Sequence, residues 1–436
     1  MIDLQLLRNP GFAEQLQNAA KSKHMDFDAY QLAASYDERR RLAGALDSTR
    51  ARQKALSAQF RDADAAARAA LGGEMSGLSD EIKTLRAELA DAETRLTDLA
   101  LRAPSIPDPR APIGSSDADN EVIKHVGEPR AMTEDMTDHI ELTRRLGMVE
   151  FERAQKFAGG RSYALTGTGM LVTRAVLTMA MDMLVARGFT PVFPPVLVRE
   201  EAMTGTGYFP LGVEDAYKTD REDRYLVGTS EVSLVSLHRE EILPLAELPV
   251  RYAGISSCFR REAGSYGRDT KGLYRVHQFD KVEQVSIIAA DDELSSTEQL
   301  SLLANSEAVL TALELPYRVA IACTGEMGQG QRLKYEVETW MPSRGTYSET
   351  HSCSSFGDFQ ARRSNIRYRT PQGDTMFAYT LNNTAVAAPR ILIPLLEHHQ
   401  RPDGSVRVPA ALQPYLGGAT EIRPDTKLAA LIPDSR

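Results

Sequence analysis

Residues 258–283 read Cys258-Phe259-Arg260-Arg261-Glu262-Ala263-Gly264-Ser265-Tyr266-Gly267-Arg268-Asp269-Thr270-Lys271-Gly272-Leu273-Tyr274-Arg275-Val276-His277-Gln278-Phe279-Asp280-Lys281-Val282-Glu283. Two β-like ends flank a Gly- and charge-rich middle, which suits two strands joined by a long loop. Six Arg or Lys fall within 22 residues. A phosphate-rich ligand would explain that density, because guanidinium groups bind phosphate oxygens in pairs. On these residues alone, a surface hairpin laced with salt bridges is the competing explanation.

Working outward, Val282 to Ile288, Tyr317 to Ala322 and Tyr335 to Trp340 also read as strands. Val172 to Arg187 reads as a Met- and Leu-rich helix stopped by Gly188, and Phe189 to Val198 as an extended segment. Strands and helices do not alternate regularly, so the expected class is α+β, with an antiparallel β-sheet flanked by helices rather than a doubly wound sheet.

Upstream the text changes character. Ala103-Pro104-Ser105-Ile106-Pro107-Asp108-Pro109, with Pro112, cannot continue a helix and is expected to be a linker. It suggests domains at 1–103 and 104–436. Residues 1 to about 27 are mixed and short-helical, and no proline occurs from about 28 to 101. There Leu78, Ile82, Leu85, Leu89, Ala92, Leu96 and Leu99 repeat at alternating spacings of four and three. Leu42, Leu46, Thr49, Gln53, Leu56 and Phe60 repeat the seam upstream, with two polar members. Both are heptad patterns, and together they predict an antiparallel α-helical coiled-coil arm. The turn is expected between Asp62 and Gly73, ending at Gly72-Gly73. Residues 37–68 carry a charge of +3 and residues 74–100 a charge of -4. The two helices therefore attract, and the first offers cations to a polyanion. A solvated coiled coil serving only as a dimer strut fits these residues equally well.

Composition bounds the rest. The 436 residues exceed one ordinary core. No run of 18 or more apolar residues occurs, so no membrane span is expected. Met1-Ile2-Asp3-Leu4 lacks the basic and apolar regions of a signal peptide, and Cys258, Cys323 and Cys353 form no CxxC pair. The expected location is the reducing cytoplasm, without a disulfide framework or structural zinc. His398-His399 are adjacent, face different directions on a helix and lack a third ligand, which also argues against zinc. The net charge of -9 disfavours nucleic-acid binding by the whole surface but not by a local basic face.

The 258–283 stretch resembles motif 2 of class II aminoacyl-tRNA synthetases, in the version found in seryl-tRNA synthetases. Thr229-Ser230-Glu231 resembles that family's Thr-x-Glu serine site. Tyr347-Ser348-Glu349-Thr350-His351-Ser352-Cys353-Ser354, with Asp358-Phe359-Gln360-Ala361-Arg362-Arg363, resembles its next signature. Thr380-Leu381-Asn382-Asn383-Thr384 through Arg390 and Glu397 resembles motif 3, and Pro195 sits where motif 1 has its proline. Asp3-Leu4 with Leu6-Leu7-Arg8 is similar to the family's N-terminus. The likeness runs in order through nearly the whole chain.

The resemblance implies an enzyme that activates L-serine with ATP and passes it to tRNA(Ser), and it leaves tRNA(Sec) open as a second acceptor. It implies that Arg260, Glu262 and Arg390 are catalytic. ATP would be bound by Arg260, Arg261, Glu262, Val276, Phe279, Glu349, Thr350, His351, Ser352 and Arg390. Within that set Phe279 offers a face to adenine, and Arg390 holds the γ-phosphate. Serine would be bound by Thr229, Ser230, Glu231, Arg260, Glu283, Asn382 and Thr384. Glu349 and Ser352 would carry Mg2+, with His351 lining the site. Motif 1 implies a homodimer, and the N-terminal domain implies a tRNA-binding arm reaching toward tRNA on the partner. Motif 3 departs from the usual glycines with Thr384-Ala385-Val386-Ala387-Ala388-Pro389, where Pro389 fits the first turn of the next helix. Ser348 replaces what is often a longer side chain. A paralogue that charges a carrier protein, and a catalytically dead coiled-coil protein, are the alternatives. The first typically lacks the long arm, and the second would have lost site residues that this chain keeps.

Overall fold

The computed structural model describes residues 1–263 and 271–433, and the side chains of residues 65 and 66 lie outside that description. Gly264, Ser265 and Gly267 to Thr270 of the motif-2 stretch therefore fall outside the described residues. The chain divides into two compact units, Met1–Ile106 and Pro107–Arg436.

In the first unit α1 (Phe12–Ser22) precedes two long helices, α2 (Ala29–Asp62) and α3 (Ala65–Arg102), which pair along the heptad seam. Asp28 caps α2 by accepting from the Tyr30 and Gln31 amides at 2.9 and 3.0 Å. Leu42, Leu46, Leu56, Leu78, Ile82, Ala92 and Leu96 are buried on the seam. Across it Arg39 meets Glu93 at 3.1 Å, Thr49 donates to Glu81 at 3.2 Å and Gln53 to Ser79 at 2.9 Å. These pairs set an antiparallel register. The turn corrects the sequence expectation, because it occupies only Ala63-Asp64 and Gly72-Gly73 lie inside α3. Asp64 explains the difference, since its side chain accepts from the Ala67 amide at 2.9 Å and starts the helix early. The alanines that follow are strong helix formers and carry the helix through both glycines at roughly 1 kcal/mol each.

The second unit is built on a sheet of eight strands among the described residues: β1 (Glu121–Val126), β2 (Thr190–Val192), β3 (Val250–Phe259), β4 (Gln278–Ile288), β5 (Tyr317–Ile321), β6 (Leu333–Met341), β7 (Thr346–Gly357) and β8 (Tyr379–Ala388). Their order is β1-β5-β6-β7-β8-β4-β3-β2. Every neighbouring pair is antiparallel except β2 with β3. The extended segment 189–198 does not stay in this sheet. Pro194 and Pro195 offer no amide to a ladder, and beyond them Leu197–Arg199 pairs instead with Arg224–Leu226.

Helix α4 (His139–Arg145), helix α5 (Gly167–Val185), the short helix α6 (Glu231–Ser236), helix α7 (Asp292–Ala312), the short helix α8 (Phe359–Ser364) and helix α9 (Leu392–His399) flank the sheet. By length and composition α5 is apolar enough to cross a membrane. Here it buries Val172, Val176, Met179 and Leu184 in the main core, together with Leu302 and Val309 of α7 and Leu395 of α9. Sheet alternation then sorts β4 and β8 between two faces. Gln284 and Asn383 turn to α7, where both donate to the Leu302 carbonyl, at 3.4 and 2.5 Å. Glu283, Asn382 and Thr384 turn to the opposite face, which carries a cleft. Pro389 lies in the turn before α9 rather than in its first turn, because the helix begins at Leu392.

Candidate active site

Two clefts open on this face of the sheet and share a wall. One is lined by Glu262, Val276, Phe279, Glu349 and Arg390, among others. The second is lined by Thr229, Glu231, Glu283 and Asn382, among others. Arg260, Lys281, Ser352 and Thr384 line both.

Arg260 follows directly on β3. Its amide donates to the His277 carbonyl at 3.0 Å, closing the β3–β4 hairpin. Its Nε donates to the Gly228 carbonyl at 3.3 Å, and its guanidinium stands 5.3 Å from the centre of the Phe279 ring. The side chain is therefore held where the clefts join. Glu262 pairs with Arg275 at 3.1 Å. Arg390 donates to the Tyr274 and Glu349 carbonyls at 3.2 and 3.1 Å, with its guanidinium 4.5 Å from the Tyr274 ring.

A bulge places the acidic member. On β7 Glu349 pairs with Glu338 and His351 with Val337, so Thr350 is an extra residue. In an unbroken strand Glu349 and Ser352 would point to opposite faces. The extra residue brings both to the same cleft. Burial opposes ionisation of Glu349, but Lys334, Arg390, Arg260 and Arg275 outweigh it and hold the carboxyl below its ordinary range. Burial also lowers His351 to about 4, so its imidazole is neutral near pH 7. Thr350 lines the cleft with its hydroxyl tied to Thr339 and to His351 Nδ1, at 2.6 and 2.8 Å.

In the second cleft Glu231 is 4% exposed. Tyr208 donates to one of its oxygens at 3.2 Å and Gln360 to the other at 2.6 Å. Burial and the nearby Glu283 raise its carboxyl to about 7, against the opposing pull of Gln360, Lys281 and Tyr208. Thr384 donates to Glu283 at 3.3 Å, and Lys281 forms a close ion pair with the same carboxylate. Two carboxylates and several hydroxyl and amide groups suit a small ligand with an ammonium and a hydroxyl. The neighbouring cleft, walled by Arg260, Arg390 and an aromatic face, suits a nucleotide with phosphates.

Two expected residues do not come to the clefts. Ser230 is fully buried and its hydroxyl donates to the Gly254 carbonyl of β3 at 3.4 Å, because α6 turns that side chain toward the sheet. Arg261, two residues beyond the strand, is exposed and donates to the Glu214 carbonyl at 3.0 Å. Conversely, sequence reasoning gave no role to Lys281, Lys334, Tyr208 or Gln360. Lys281 was accessible to it, since it lies at period two between Phe279 and Glu283 on one strand face. Tyr208 and Gln360 carry no such signal.

Residues 214–399 match the family model for the tRNA synthetase class II core domain (G, H, P, S and T), and residues 1–107 match that for the seryl-tRNA synthetase N-terminal domain. The chain is 43% identical to a serine–tRNA ligase of Deinococcus radiodurans, over 96% of this chain and 98% of the relative. It is 44% identical to one of Mycolicibacterium smegmatis, over 95% and 98%. Among solved structures it is similar to the seryl-tRNA synthetase of Pyrococcus horikoshii complexed with ATP, with a TM-score of 0.92, 32% identity and 98% and 100% coverage. A cytoplasmic serine–tRNA ligase of Naegleria fowleri in complex with AMP gives a TM-score of 0.87 and 27% identity, over 98% and 99%. The ordered signatures, the two joined clefts and these full-length likenesses agree, and the chain belongs to the seryl-tRNA synthetase family of class II aminoacyl-tRNA synthetases.

Proposed function

We propose that the chain activates L-serine with ATP in the two joined clefts and transfers the seryl group to the 3′ end of tRNA(Ser), acting in the cytoplasm as a homodimer. The observation that carries this reading is the shared wall, because Arg260, Lys281, Ser352 and Thr384 border both clefts. A serine carboxylate entering from one side thereby meets an α-phosphorus entering from the other. In the first step a serine carboxylate oxygen bonds to the α-phosphorus. The bond from that phosphorus to the bridging oxygen breaks, and pyrophosphate leaves with the electron pair. Arg260 stabilises charge on the equatorial oxygens, and Arg390 holds the departing phosphates. In the second step a ribose hydroxyl of the tRNA end attacks the seryl carbonyl carbon and AMP leaves.

The oxygens of Glu349 and Ser352 fit Mg2+, which binds through one or two protein oxygens and completes its shell from phosphates and water. When bound, it would neutralise phosphate charge. Among the described residues no group of three His, Cys, Asp or Glu forms a metal site of its own. Glu231 and Glu283 receive the ammonium, and Thr229, Asn382 and Thr384 are the polar groups available to the hydroxyl. A site that hydrogen-bonds a hydroxyl rejects the analogue lacking it by about 10⁴–10⁵.

Amino-acid-dependent ATP–pyrophosphate exchange tests the reading. Serine is expected to be the best of the twenty amino acids, with a requirement for Mg2+ and none for tRNA, and exchange should stop when Mg2+ is chelated. A different best substrate would refute the specificity.

The Glu231 carboxyl, raised to about 7, predicts a pH dependence. The serine ammonium binds the ionised form, so protonation competes with serine. The serine KM is expected to be flat above neutrality and to rise about tenfold per pH unit below 7. In Glu231→Gln the KM should be high and lose this slope. A wild-type KM constant from pH 6 to 8 would remove Glu231 from the ammonium site.

A further inference from the structure

Helix α8 carries a signature of the catalytic unit, Asp358-Phe359-Gln360-Ala361-Arg362-Arg363, that the reaction as derived does not use. None of its side chains from Phe359 to Ser364 lines either cleft. Its contacts nonetheless converge on the serine cleft. Phe359 is 1% exposed. A Cβ added at Gly207 or at Gly330 would lie 2.8 or 2.4 Å from its ring, and both glycines line that cleft. Arg363 donates to the carbonyls of Thr204 and Phe209 at 3.0 and 2.9 Å, clamping the segment that carries Tyr208.

Gln360, itself 1% exposed, sits at the centre. Its Nε2 donates to Glu231 Oε1 at 2.6 Å and to the Thr206 carbonyl at 3.1 Å. Its Oε1 accepts from the Thr380 hydroxyl at 2.7 Å, which fixes which end of the amide faces Glu231. Tyr208 donates to the other Glu231 oxygen. Four side chains from four parts of the chain thus form one line, Thr380–Gln360–Glu231–Tyr208, in which all but the partly buried Tyr208 are buried.

We propose that Gln360 is a positioning and specificity-determining residue of the serine cleft, aiming the Glu231 carboxylate and tying it to the Thr204–Phe209 wall. The proposal rests on the reading of Glu231 as part of the ammonium site. Gln360 touches no substrate and acts through Glu231. A carboxylate held by two directed donors presents its remaining lone pairs in one direction, so a ligand pays less to order it. The same donors favour the ionised form that an ammonium needs.

The test compares Gln360→Met, which keeps the length of the side chain and removes both donors, with Thr380→Val, which only releases the amide. Pyrophosphate exchange is measured with serine and ATP varied separately from pH 6 to 8.5. In Gln360→Met the serine KM should rise about tenfold or more at pH 7.5, as for loss of a hydrogen bond to a charged group. The ATP KM should stay within about twofold. The pH below which the serine KM climbs should move upward, since a donor to the anion has been lost. Thr380→Val should show the same changes in smaller measure. Equal rises in both KM values, or an unmoved pH profile, would mean that Gln360 only supports the fold and would overturn the proposal. If Gln360→Met does not fold, Thr380→Val decides, and an unmoved profile there overturns it equally. Glu231→Gln separates the two levels of the argument. No effect of Glu231→Gln on the serine KM would sink the ammonium reading itself. An effect there with none in Gln360→Met would sink only the role of Gln360.

Discussion

Replacing Arg260 by alanine is expected to lower the turnover of serine-dependent exchange by about 10²–10³ while changing the KM for serine far less. Removing one fixed donor from a developing oxyanion costs roughly 3–4 kcal/mol in other enzymes. The effect falls on turnover because the contact strengthens only as charge builds on the α-phosphate. Arg260 is suited to this because it is already held, by the Gly228 carbonyl on one side and the Phe279 ring on the other, at 3.3 and 5.3 Å. Little side-chain entropy is left to lose when the phosphate arrives. Arg260→Lys should fall between the two, since a lysine keeps the charge without the planar fork. Full turnover in the purified, folded alanine variant would take Arg260 off the reaction path.

Shortening the helical hairpin should abolish tRNA charging and leave serine-dependent exchange nearly intact. The structure locates the cut. Leu32, Leu96 and Ala100 pack with Leu16, Ala20 and Phe27 of the N-terminal unit, so the base of the hairpin belongs to that unit's core. Joining Ala43 to Leu89 through a short Gly-rich turn removes the outer part in register, because Arg39 faces Glu93 and Thr49 faces Glu81. Within the removed part Arg50, Arg52, Lys54 and Arg61 are exposed. Arg50 and Arg52 reach Asp47 and Glu74 only at 3.9 Å, and exposed pairs of that kind contribute little. These cations are therefore available to a phosphate backbone. Neutralising all four in the full-length chain should weaken tRNA binding and flatten its dependence on salt, since fewer counterions are released. Full charging by the shortened protein would refute the arm's role outright. An unchanged salt slope in the four-site variant would place the tRNA on another face of the hairpin.

Much of this protein is written locally. The heptad spacing of Leu78 to Leu99, the proline-rich stretch after Arg102 and the charge density of 258–283 are short-range patterns. They state a helical hairpin, a boundary and a charge-rich β-hairpin because helix periodicity and proline stereochemistry act over a few residues. All of the site residues named by the resemblance built on those motifs, except Ser230 and Arg261, line the two clefts. The hairpin turn was misplaced for a local reason too, because the Asp64 cap and the alanines behind it outweigh two glycines.

What the sequence could not state depends on partners distant along the chain. The extra residue at Thr350 exists only in the pairing of β7 with β6, and it alone turns Glu349 toward the same cleft as Ser352. Ser230 leaves the second cleft because α6 turns it toward β3, 24 residues later, although its neighbours Thr229 and Glu231 stay. Arg261 leaves the clefts because the last hairpin bond is made by the Arg260 amide, and beyond it the Arg261 side chain turns to the Glu214 carbonyl. The Glu231 carboxyl is raised by burial and by Glu283, and held by Gln360, which lies 129 residues away. By itself the sequence determined which residue types are the candidates to meet ATP and serine. Strand register and burial decided which of them face the reaction and in what state of charge, because both are properties of packed neighbours rather than of neighbours in the chain.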